Sequence, residues 1–232
     1  MSAGAAGTPT YPWKEIPGSS HVILLERVLA RGSGLAVLDI GFGAGHFAQR
    51  IRPACRYLAG LELDPGAAAE GARFFDDALT GDVFEGISRP WKEPFDIIVA
   101  GDVLEHLQRP EDLLSALKPL LKSGGTLLVS LPNVANVTVR AALLAGRFPY
   151  ADRGILDRTH VRFYTRSSAR GLLEGSGLRI GWETATAMPV ELALPALGTP
   201  PLAGPVRSGA RLLAAAWPTL FGYQFVFEAA PA

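Results

Sequence analysis

Short apolar runs alternate along the first part of the chain with segments whose apolar residues recur three and four positions apart. Such runs predict strands buried on both faces, and the intervening spacing predicts helices. Strands are predicted at residues 36–40, 57–61, around Leu79, at 95–100 and at 126–131. Helices are predicted at residues 19–31, 44–52, 65–74 and 110–121. This alternation predicts an α/β fold with a parallel sheet and right-handed crossover connections.

The pattern changes after Leu131, where the regular alternation stops. The later elements are predicted as a helix at 134–145, a loop at 146–162, a helix at 167–174, and strands at 178–184 and 223–228. The two last strands follow a helix without a regular crossover, so we expect them to close the sheet.

The chain is predicted to form one domain over residues 19–232, because α/β domains of this length commonly share one core. Residues 1–18 are rich in Gly, Ala, Pro and Thr, and we expect a mobile N-terminal arm. Residues 188–222 carry much of the proline and few charges. We expect residues 132–165 and 188–222 to form a cover over a substrate.

Composition narrows the range of partners. The 232 residues include 22 basic and 22 acidic side chains, so no excess of positive charge favours binding to nucleic acid.

The single cysteine, Cys55, excludes an internal disulfide and is typical of a reducing cytoplasm. The N-terminal residues lack a signal-peptide pattern, and apolar stretches are interrupted before they reach membrane-spanning length. We expect a cytoplasmic protein, with peripheral membrane contact and oligomeric state left open.

A glycine-rich loop follows the first strand, in the run V-L-D-I-G-F-G-A-G of residues 37–45. Glycines at the carboxyl end of a strand let a ligand approach the backbone closely. The dinucleotide pattern G-x-G-x-x-G requires glycine where this chain has His46, and the phosphate-loop pattern G-x-x-x-x-G-K-S/T is absent. A tight turn without a ligand is the alternative interpretation.

Two acidic residues follow the next strands. Glu62 lies 23 residues after Asp39, near the spacing at which a carboxylate binds ribose hydroxyls in nucleotide-binding βαβ units. Asp82 follows the third strand, where a carboxylate can accept a hydrogen bond from an exocyclic amine. The alternatives are a surface carboxylate at Glu62 and a turn-capping role for Asp82.

These features resemble the class I S-adenosylmethionine-dependent methyltransferases over residues 19–186, together with the strand D-I-I-V-A followed by L-E-H and the turn L-K-P-L-L-K-S-G-G. The resemblance implies a doubly wound seven-stranded sheet in the order 3-2-1-4-5-7-6, with strand 7 antiparallel and helices on both faces. It implies S-adenosyl-L-methionine as cofactor and S-adenosyl-L-homocysteine as product. The residues it places at the cofactor are Asp39, Gly41, Gly43, Gly45, Glu62, Leu63, Asp82, Val83, Gly101 and Asp102.

Within that set the resemblance implies separate roles. Asp39 and the three loop glycines would shape the pocket for the methionine part, and Glu62 would hold the ribose. Asp82 would bind the adenine amine, with Val83 against the ring. Gly101 or Asp102 would line the sulfonium end.

Two histidines are candidate bases for an acceptor proton, His106 and His160. The segment L-D-R-T-H-V-R-F-Y around His160, with L-P-N-V at 131–134, resembles bacterial methyltransferases of cell-surface sugar pathways. In the alternative interpretation, His160, Asp157 and Arg158 only tie a loop to the body of the domain.

The stretch with Asp102, Glu105 and His106 also resembles quinone-pathway O-methyltransferases that hold a divalent metal there. We predict no metal site, because three clustered side chains rarely suffice without further ligands. The function predicted from the sequence is methyl transfer to a small-molecule or glycan acceptor, on oxygen. A non-catalytic S-adenosylmethionine-binding protein and a nicotinamide-dependent oxidoreductase are the alternatives, and His46 argues against the second.

Overall fold

The computed structural model describes residues 16–189 and 203–232, and its centre is one seven-stranded sheet. The strands are β1 (Leu35–Ile40), β2 (Cys55–Glu62), β3 (Asp77–Thr80), β4 (Phe95–Gly101), β5 (Leu121–Pro132), β6 (Leu178–Ala187) and β7 (Gly222–Pro231). They lie in the order β3-β2-β1-β4-β5-β7-β6. Strands β1 to β5 pair in parallel, whereas β7 is antiparallel to both β5 and β6. The predicted sheet order and antiparallel seventh strand are confirmed.

Helices cover both faces of the sheet. They are α1 (Ser20–Leu29), α2 (His46–Ile51), α3 (Pro65–Gly71), α4 (Val83–Ile87), α5 (Pro110–Leu117), α6 (Val137–Leu144), α7 (Arg166–Gly175), α8 (Ala203–Ala216) and α9 (Pro218–Phe221). Short 3₁₀ turns follow α2, α3 and α5, and another, Leu104–His106, follows β4.

The alternation of side chains along β1 divides the core into two layers. Ala36, Leu38 and Ile40 belong to the layer that α4, α5 and α7 cover, whereas Leu35 and Val37 belong to the layer that α1 and α2 cover. Each fully buried leucine at such a position contributes about 2 kcal/mol of hydrophobic stabilisation. The parallel strands therefore stay in the middle of the molecule, and their carboxyl ends meet at one edge of the sheet.

Several predicted boundaries are wrong by a few residues, for local reasons. The helix predicted at 44–52 begins at His46, because Gly45 is left-handed, with a φ of 77°. The helix predicted at 110–121 ends at Leu117, since Leu121 already pairs with Phe95 of β4. The helix predicted at 134–145 begins at Val137, because the side chain of Asn136 caps it.

The C-terminal cover is only partly described. Within the predicted cover at 188–222, residues 203–221 contain α8 and α9, and the sequence pattern had not predicted either helix. Residues 190–202, and residues 1–15 of the predicted N-terminal arm, lie outside the described residues. Within 16–189 and 203–232, no helix combines the length and the apolar character needed to cross a membrane.

Candidate functional site

The glycine loop between β1 and α2 depends on backbone conformations that favour glycine. Gly41, Gly43 and Gly45 have φ values of 73°, 55° and 77°. A β-carbon on Gly43 would meet nothing within 4 Å, whereas one on Gly45 would lie 2.8 Å from the α-carbon of Gly71 in α3. Gly43 therefore lines open space, and Gly45 is required by the packing of the loop against α3.

Phe42 anchors the same loop, which the sequence analysis did not anticipate. Its ring is buried and lies 4.4 Å, centroid to centroid, from the ring of Phe75. β-Carbons on Gly60 and Gly71 would lie 2.6 Å and 2.9 Å from Phe42 ring atoms. The large side chain at position 42 thus fits because two neighbouring positions are glycine, a pairing that only the folded chain shows.

Asp39 lies on β1 between Gly60 of β2 and Val99 of β4, and is 4% exposed. Among the described residues, no group hydrogen-bonds its buried Oδ2 atom. Burial, followed by the charge of Glu62, raises the pKa of Asp39 to about 8. A buried carboxylate with an unsatisfied oxygen at the end of a strand fits a positively charged ligand such as the ammonium of a methionine moiety.

Glu62 ends β2 and faces the glycine loop. Its Oε2 accepts a hydrogen bond of 2.7 Å from the backbone N–H of Gly43, and its Oε1 accepts one of 2.8 Å from the N–H of Asp64. The carboxylate is thereby held at the end of β2, beside the loop. This position fits the hydroxyls of a ribose, each of which can donate a hydrogen bond to a carboxylate.

The residues predicted for the adenine end occupy the adjoining loops. Asp82 accepts hydrogen bonds from the N–H groups of Phe84 and Glu85, at 2.8 Å and 3.4 Å, and so caps α4. The capping role considered as an alternative is therefore present. Val83 packs partly against the core, whereas Leu63 is 72% exposed, on the surface next to Glu62.

Gly101 and Asp102 lie at the carboxyl end of β4. Gly101 pairs with Ser130 of β5, and a β-carbon on Gly41 would come within 3.0 Å of the Val103 side chain. The glycine loop and the exit from β4 are therefore in contact. The Oδ1 atom of Asp102 accepts hydrogen bonds from the side chains of Ser130 and Gln224, two residues that the sequence analysis did not identify.

The two candidate bases lie side by side. The rings of His106 and His160 are 4.9 Å apart, at 71°. Nδ1 of His106 lies 3.3 Å from the Thr159 carbonyl oxygen, and Nδ1 of His160 lies 3.1 Å from that of Ile155. Because a carbonyl oxygen only accepts, Nδ1 is the donor in each of these contacts.

Burial and the neighbouring His106 lower the pKa of His160. His160 is therefore neutral near neutral pH and able to accept a proton. His106 is exposed, whereas only 6% of the His160 side chain is exposed. The pair thus combines one imidazole at the surface with one inside the domain.

Glu105 lies next to the two histidines, and its carboxylate is within 4.8 Å of a ring nitrogen of each. It is 1% exposed, and within the described ranges neither carboxylate oxygen has a hydrogen-bond partner. Burial, followed by the charge of Asp102, raises its pKa well above the usual range. Its backbone carbonyl accepts hydrogen bonds from Val161 and Arg162, at 2.9 Å and 3.0 Å, and so fastens the segment that carries His160.

Part of that segment has the purely structural role considered as the alternative. The Asp157 carboxylate accepts hydrogen bonds from the N–H and hydroxyl of Thr159, and Arg158 pairs with Asp152 at the surface. These contacts shape the loop. Nε2 of His160 lies 3.9 Å from Oε1 of Glu105.

The cluster also bears on the predicted absence of a metal. Ligand atoms of Glu105, His106 and His160 all lie within 4.8 Å of one another, which is close enough to share a cation. The carboxylate of Asp102, grouped with them in the sequence, instead binds Ser130 and Gln224 through Oδ1. Three protein ligands are available, and the absence of a metal stays a prediction.

The chain is similar to known methyltransferases. A family model described as a methyltransferase domain matches residues 22–181. A probable S-adenosylmethionine-dependent methyltransferase of Mycolicibacterium smegmatis is 30% identical over 115 residues, 49% of this chain and 44% of that protein. A ubiquinone biosynthesis O-methyltransferase of Xylella fastidiosa is 30% identical over 119 residues, 49% of this chain and 47% of that protein. The matches thus span less than half the length of these relatives.

Solved structures share the fold. A magnesium protoporphyrin IX methyltransferase of Synechocystis with bound S-adenosylhomocysteine has a TM-score of 0.61 at 15% identity, over 92% of this chain and 82% of that one. A methyltransferase of Archaeoglobus fulgidus has a TM-score of 0.62 at 18% identity, over 91% and 94% of the two chains. With the family model covering most of its length, this chain belongs to the class I S-adenosylmethionine-dependent methyltransferases.

Proposed function

We propose that this protein transfers the methyl group of S-adenosylmethionine to a hydroxyl oxygen of a small-molecule or glycan acceptor. The observation that carries the choice of oxygen is the pair of imidazoles, His106 and His160, each with Nδ1 directed at a carbonyl. With Nδ1 as the donor in each ring, Nε2 is the atom of a neutral imidazole that can take a proton, and a hydroxyl must lose its proton when it is methylated.

The cofactor would lie along the carboxyl ends of β2, β1 and β4. Asp39 and the glycine loop suit its methionine part, Glu62 its ribose, and Asp82 and Val83 its adenine. The reaction needs little covalent help from the protein, because the sulfonium is already an activated methyl donor. Alignment of donor and acceptor, together with exclusion of water, supplies much of the rate.

In the proposed step, the acceptor oxygen attacks the methyl carbon while the carbon–sulfur bond breaks. The bonding pair stays on sulfur, which gives neutral S-adenosylhomocysteine, and the hydroxyl proton passes to Nε2 of a histidine. We assign this base role first to His160, because burial keeps it neutral. His106, at the surface beside it, is placed to pass the proton on to water.

The acceptor would enter beneath the described part of the predicted cover, residues 132–165 and 203–222. The matched ubiquinone biosynthesis O-methyltransferases support an oxygen acceptor. The predicted sugar or glycan acceptor offers the same hydroxyl chemistry, so both belong in the test.

The test is a set of matched acceptor pairs in which one hydroxyl is replaced by an amine, such as catechol against 2-aminophenol and a hexose against its amino sugar. S-Adenosylhomocysteine release and product mass are measured for each. We expect turnover of a hydroxyl compound at the oxygen, and His160→Gln is expected to lower kcat/KM about 100-fold. Binding of S-adenosylhomocysteine should be unchanged in that variant. Methylation at nitrogen or carbon, or full activity of His160→Gln, would contradict the proposal.

A further inference from the structure

Asp102 is held in an unusual backbone conformation directly after β4. Its φ is 56°, and among the described residues no other non-glycine residue has a positive φ. Left-handed geometry is unfavourable for a residue with a side chain, so neighbouring groups must hold it in place. Non-glycine residues of this kind gather at functional sites, where the orientation of the side chain matters.

Ser130 of β5 supplies a closed pair of hydrogen bonds to Asp102. The Ser130 hydroxyl donates to Oδ1 of Asp102 at 2.5 Å and accepts from the backbone N–H of Asp102 at 3.0 Å. Ser130 is fully buried, so water does not compete with these bonds. One small side chain therefore fixes both the backbone and the carboxylate of Asp102.

Gln224 of β7 supplies a second donor to the same oxygen. Its Nε2 donates to Oδ1 of Asp102 at 2.8 Å, although the two residues are 122 positions apart. Its Oε1 accepts a hydrogen bond of 3.0 Å from the hydroxyl of Ser20, a buried residue at the start of α1. Ser20 thereby fixes which end of the amide faces Asp102, and a network spans α1, β4, β5 and β7.

Two donors on Oδ1 restrain the orientation of the carboxylate, and among the described residues none donates a hydrogen bond to Oδ2. Because Val103 contacts the glycine loop at Gly41, Asp102 borders the space where the methionine end of the cofactor is proposed to lie. The sulfonium of S-adenosylmethionine is positive, whereas the sulfur of S-adenosylhomocysteine is neutral. A carboxylate fixed near that sulfur favours the substrate form over the product form.

We propose that Ser130 and Gln224 are positioning residues that hold the Asp102 carboxylate towards the sulfonium and so make the site discriminate substrate cofactor from product cofactor. The inference rests on the proposed function for the identity of the cofactor and is independent of the acceptor. It assigns a role to two side chains on strands that carry no part of the glycine loop.

The test measures dissociation constants for S-adenosylmethionine and S-adenosylhomocysteine by calorimetry in wild type, Ser130→Ala and Gln224→Met. In both variants we expect S-adenosylmethionine to bind about tenfold more weakly, while S-adenosylhomocysteine changes less than about twofold. Gln224→Glu keeps an acceptor for the Ser20 hydroxyl but replaces the donor to Asp102 with a negative charge. Because the contact with α1 is retained, weaker binding of either cofactor in this variant reports the added charge beside Asp102 and not a loss of the fold.

Thr186→Val is the matched control. The Thr186 hydroxyl accepts a hydrogen bond of 3.0 Å from the backbone N–H of Gln224, so its loss disturbs the same strand without touching Asp102. We expect an unchanged ratio of the two dissociation constants in this variant. Equal weakening of both cofactors in Ser130→Ala and Gln224→Met, or no change in either, would overturn the inference. If wild type binds neither cofactor, the proposed function itself is contradicted.

Discussion

The α-carbon of Gly71 lies so close to the glycine loop that a β-carbon there would stand 2.7 Å from the carbonyl oxygen of Gly43. The same atom would stand 2.9 Å from the backbone nitrogen of Gly45. Because both contacts are with backbone, neither can turn aside as a side chain would. The shape of the loop therefore depends on a glycine in α3 that carries none of the cofactor motifs.

Gly71→Ala is expected to push the glycine loop out of position. We expect a loss of about 1–3 kcal/mol in the free energy of unfolding and at least about tenfold weaker binding of S-adenosylhomocysteine. Denaturant titration and calorimetry measure the two effects.

Gly171→Ala in α7 is the control for that substitution, since a β-carbon there meets nothing within 4 Å. This variant should gain about 0.5–1 kcal/mol from helix propensity and bind S-adenosylhomocysteine normally. Normal binding by Gly71→Ala would show that the loop does not depend on this contact.

The raised pKa of Asp39, about 8 through burial and the charge of Glu62, predicts pH-dependent cofactor binding. Asp39 is protonated at neutral pH in the free protein, and a bound ammonium favours its ionised form. Affinity for S-adenosylhomocysteine should therefore rise from about pH 6.5 to about pH 8.5, with release of a proton. The free energy of unfolding of the free protein should fall over the same pH range. An acid whose pKa is raised in the folded state stabilises the fold only while it stays protonated.

Calorimetry in buffers of different ionisation enthalpy measures the released proton, and Asp39→Asn is the comparison. In this variant the proton release attributed to Asp39 should disappear, and the affinity should vary less with pH. An identical pH profile in wild type and Asp39→Asn would rule out Asp39 as the titrating group.

Glu228 of β7 ties the last strand to α1 by ion pairs with Arg27 and Arg31. Burial alone raises the pKa of Glu228, but hydrogen bonds from the two arginines outweigh burial, and the pKa is lowered. Glu228→Gln should cost about 1–3 kcal/mol, less than a fully buried pair because both arginines are partly exposed.

An acid with a lowered pKa stabilises the fold above its usual value, here 4.5, and this contribution is lost as the pH falls through the folded pKa. The difference in unfolding free energy between wild type and Glu228→Gln should therefore shrink as pH falls below about 4.5. Asp152→Asn is the control, because its pair with Arg158 is exposed and should contribute less than about 0.5 kcal/mol. A pH-independent difference for Glu228→Gln would contradict this assignment.

The predicted absence of a metal has a direct test at the cluster of Glu105, His106 and His160. After prolonged dialysis against a chelator, we expect methyl transfer to an identified hydroxyl acceptor to retain at least half of its rate. A loss of activity that added Mg²⁺ or Mn²⁺ restores would contradict the predicted absence of a metal.

Sequence patterns were sufficient for the alternation of strands and helices and for the polar residues at the ends of β1, β2 and β4, because these signals are local in the chain. The sheet order followed from the resemblance to the methyltransferase family and not from any local pattern. They were insufficient where the fold joins distant segments. Ser130 and Gln224 meet Asp102 only because β7 inserts antiparallel beside β5. Phe42 finds Gly71 only through the return of α3 to the loop.

Burial was the other property that the sequence did not disclose. Glu105 follows β4 in a motif with His106, and its charge suggests an exposed side chain. The structure places it 1% exposed, because the segment around Val161 covers it. The chemistry of the cluster depends on that cover, which no local pattern predicts.

The most direct test of the account is a calorimetric titration of wild type and Glu62→Ala with S-adenosylhomocysteine, with NADH titrated in parallel. We expect stoichiometric binding of S-adenosylhomocysteine to wild type, no binding of NADH, and affinity at least about tenfold weaker in Glu62→Ala, which corresponds to about 1.4 kcal/mol. Unchanged affinity in Glu62→Ala would contradict the placement of the ribose, and absence of S-adenosylhomocysteine binding to wild type would contradict the account as a whole.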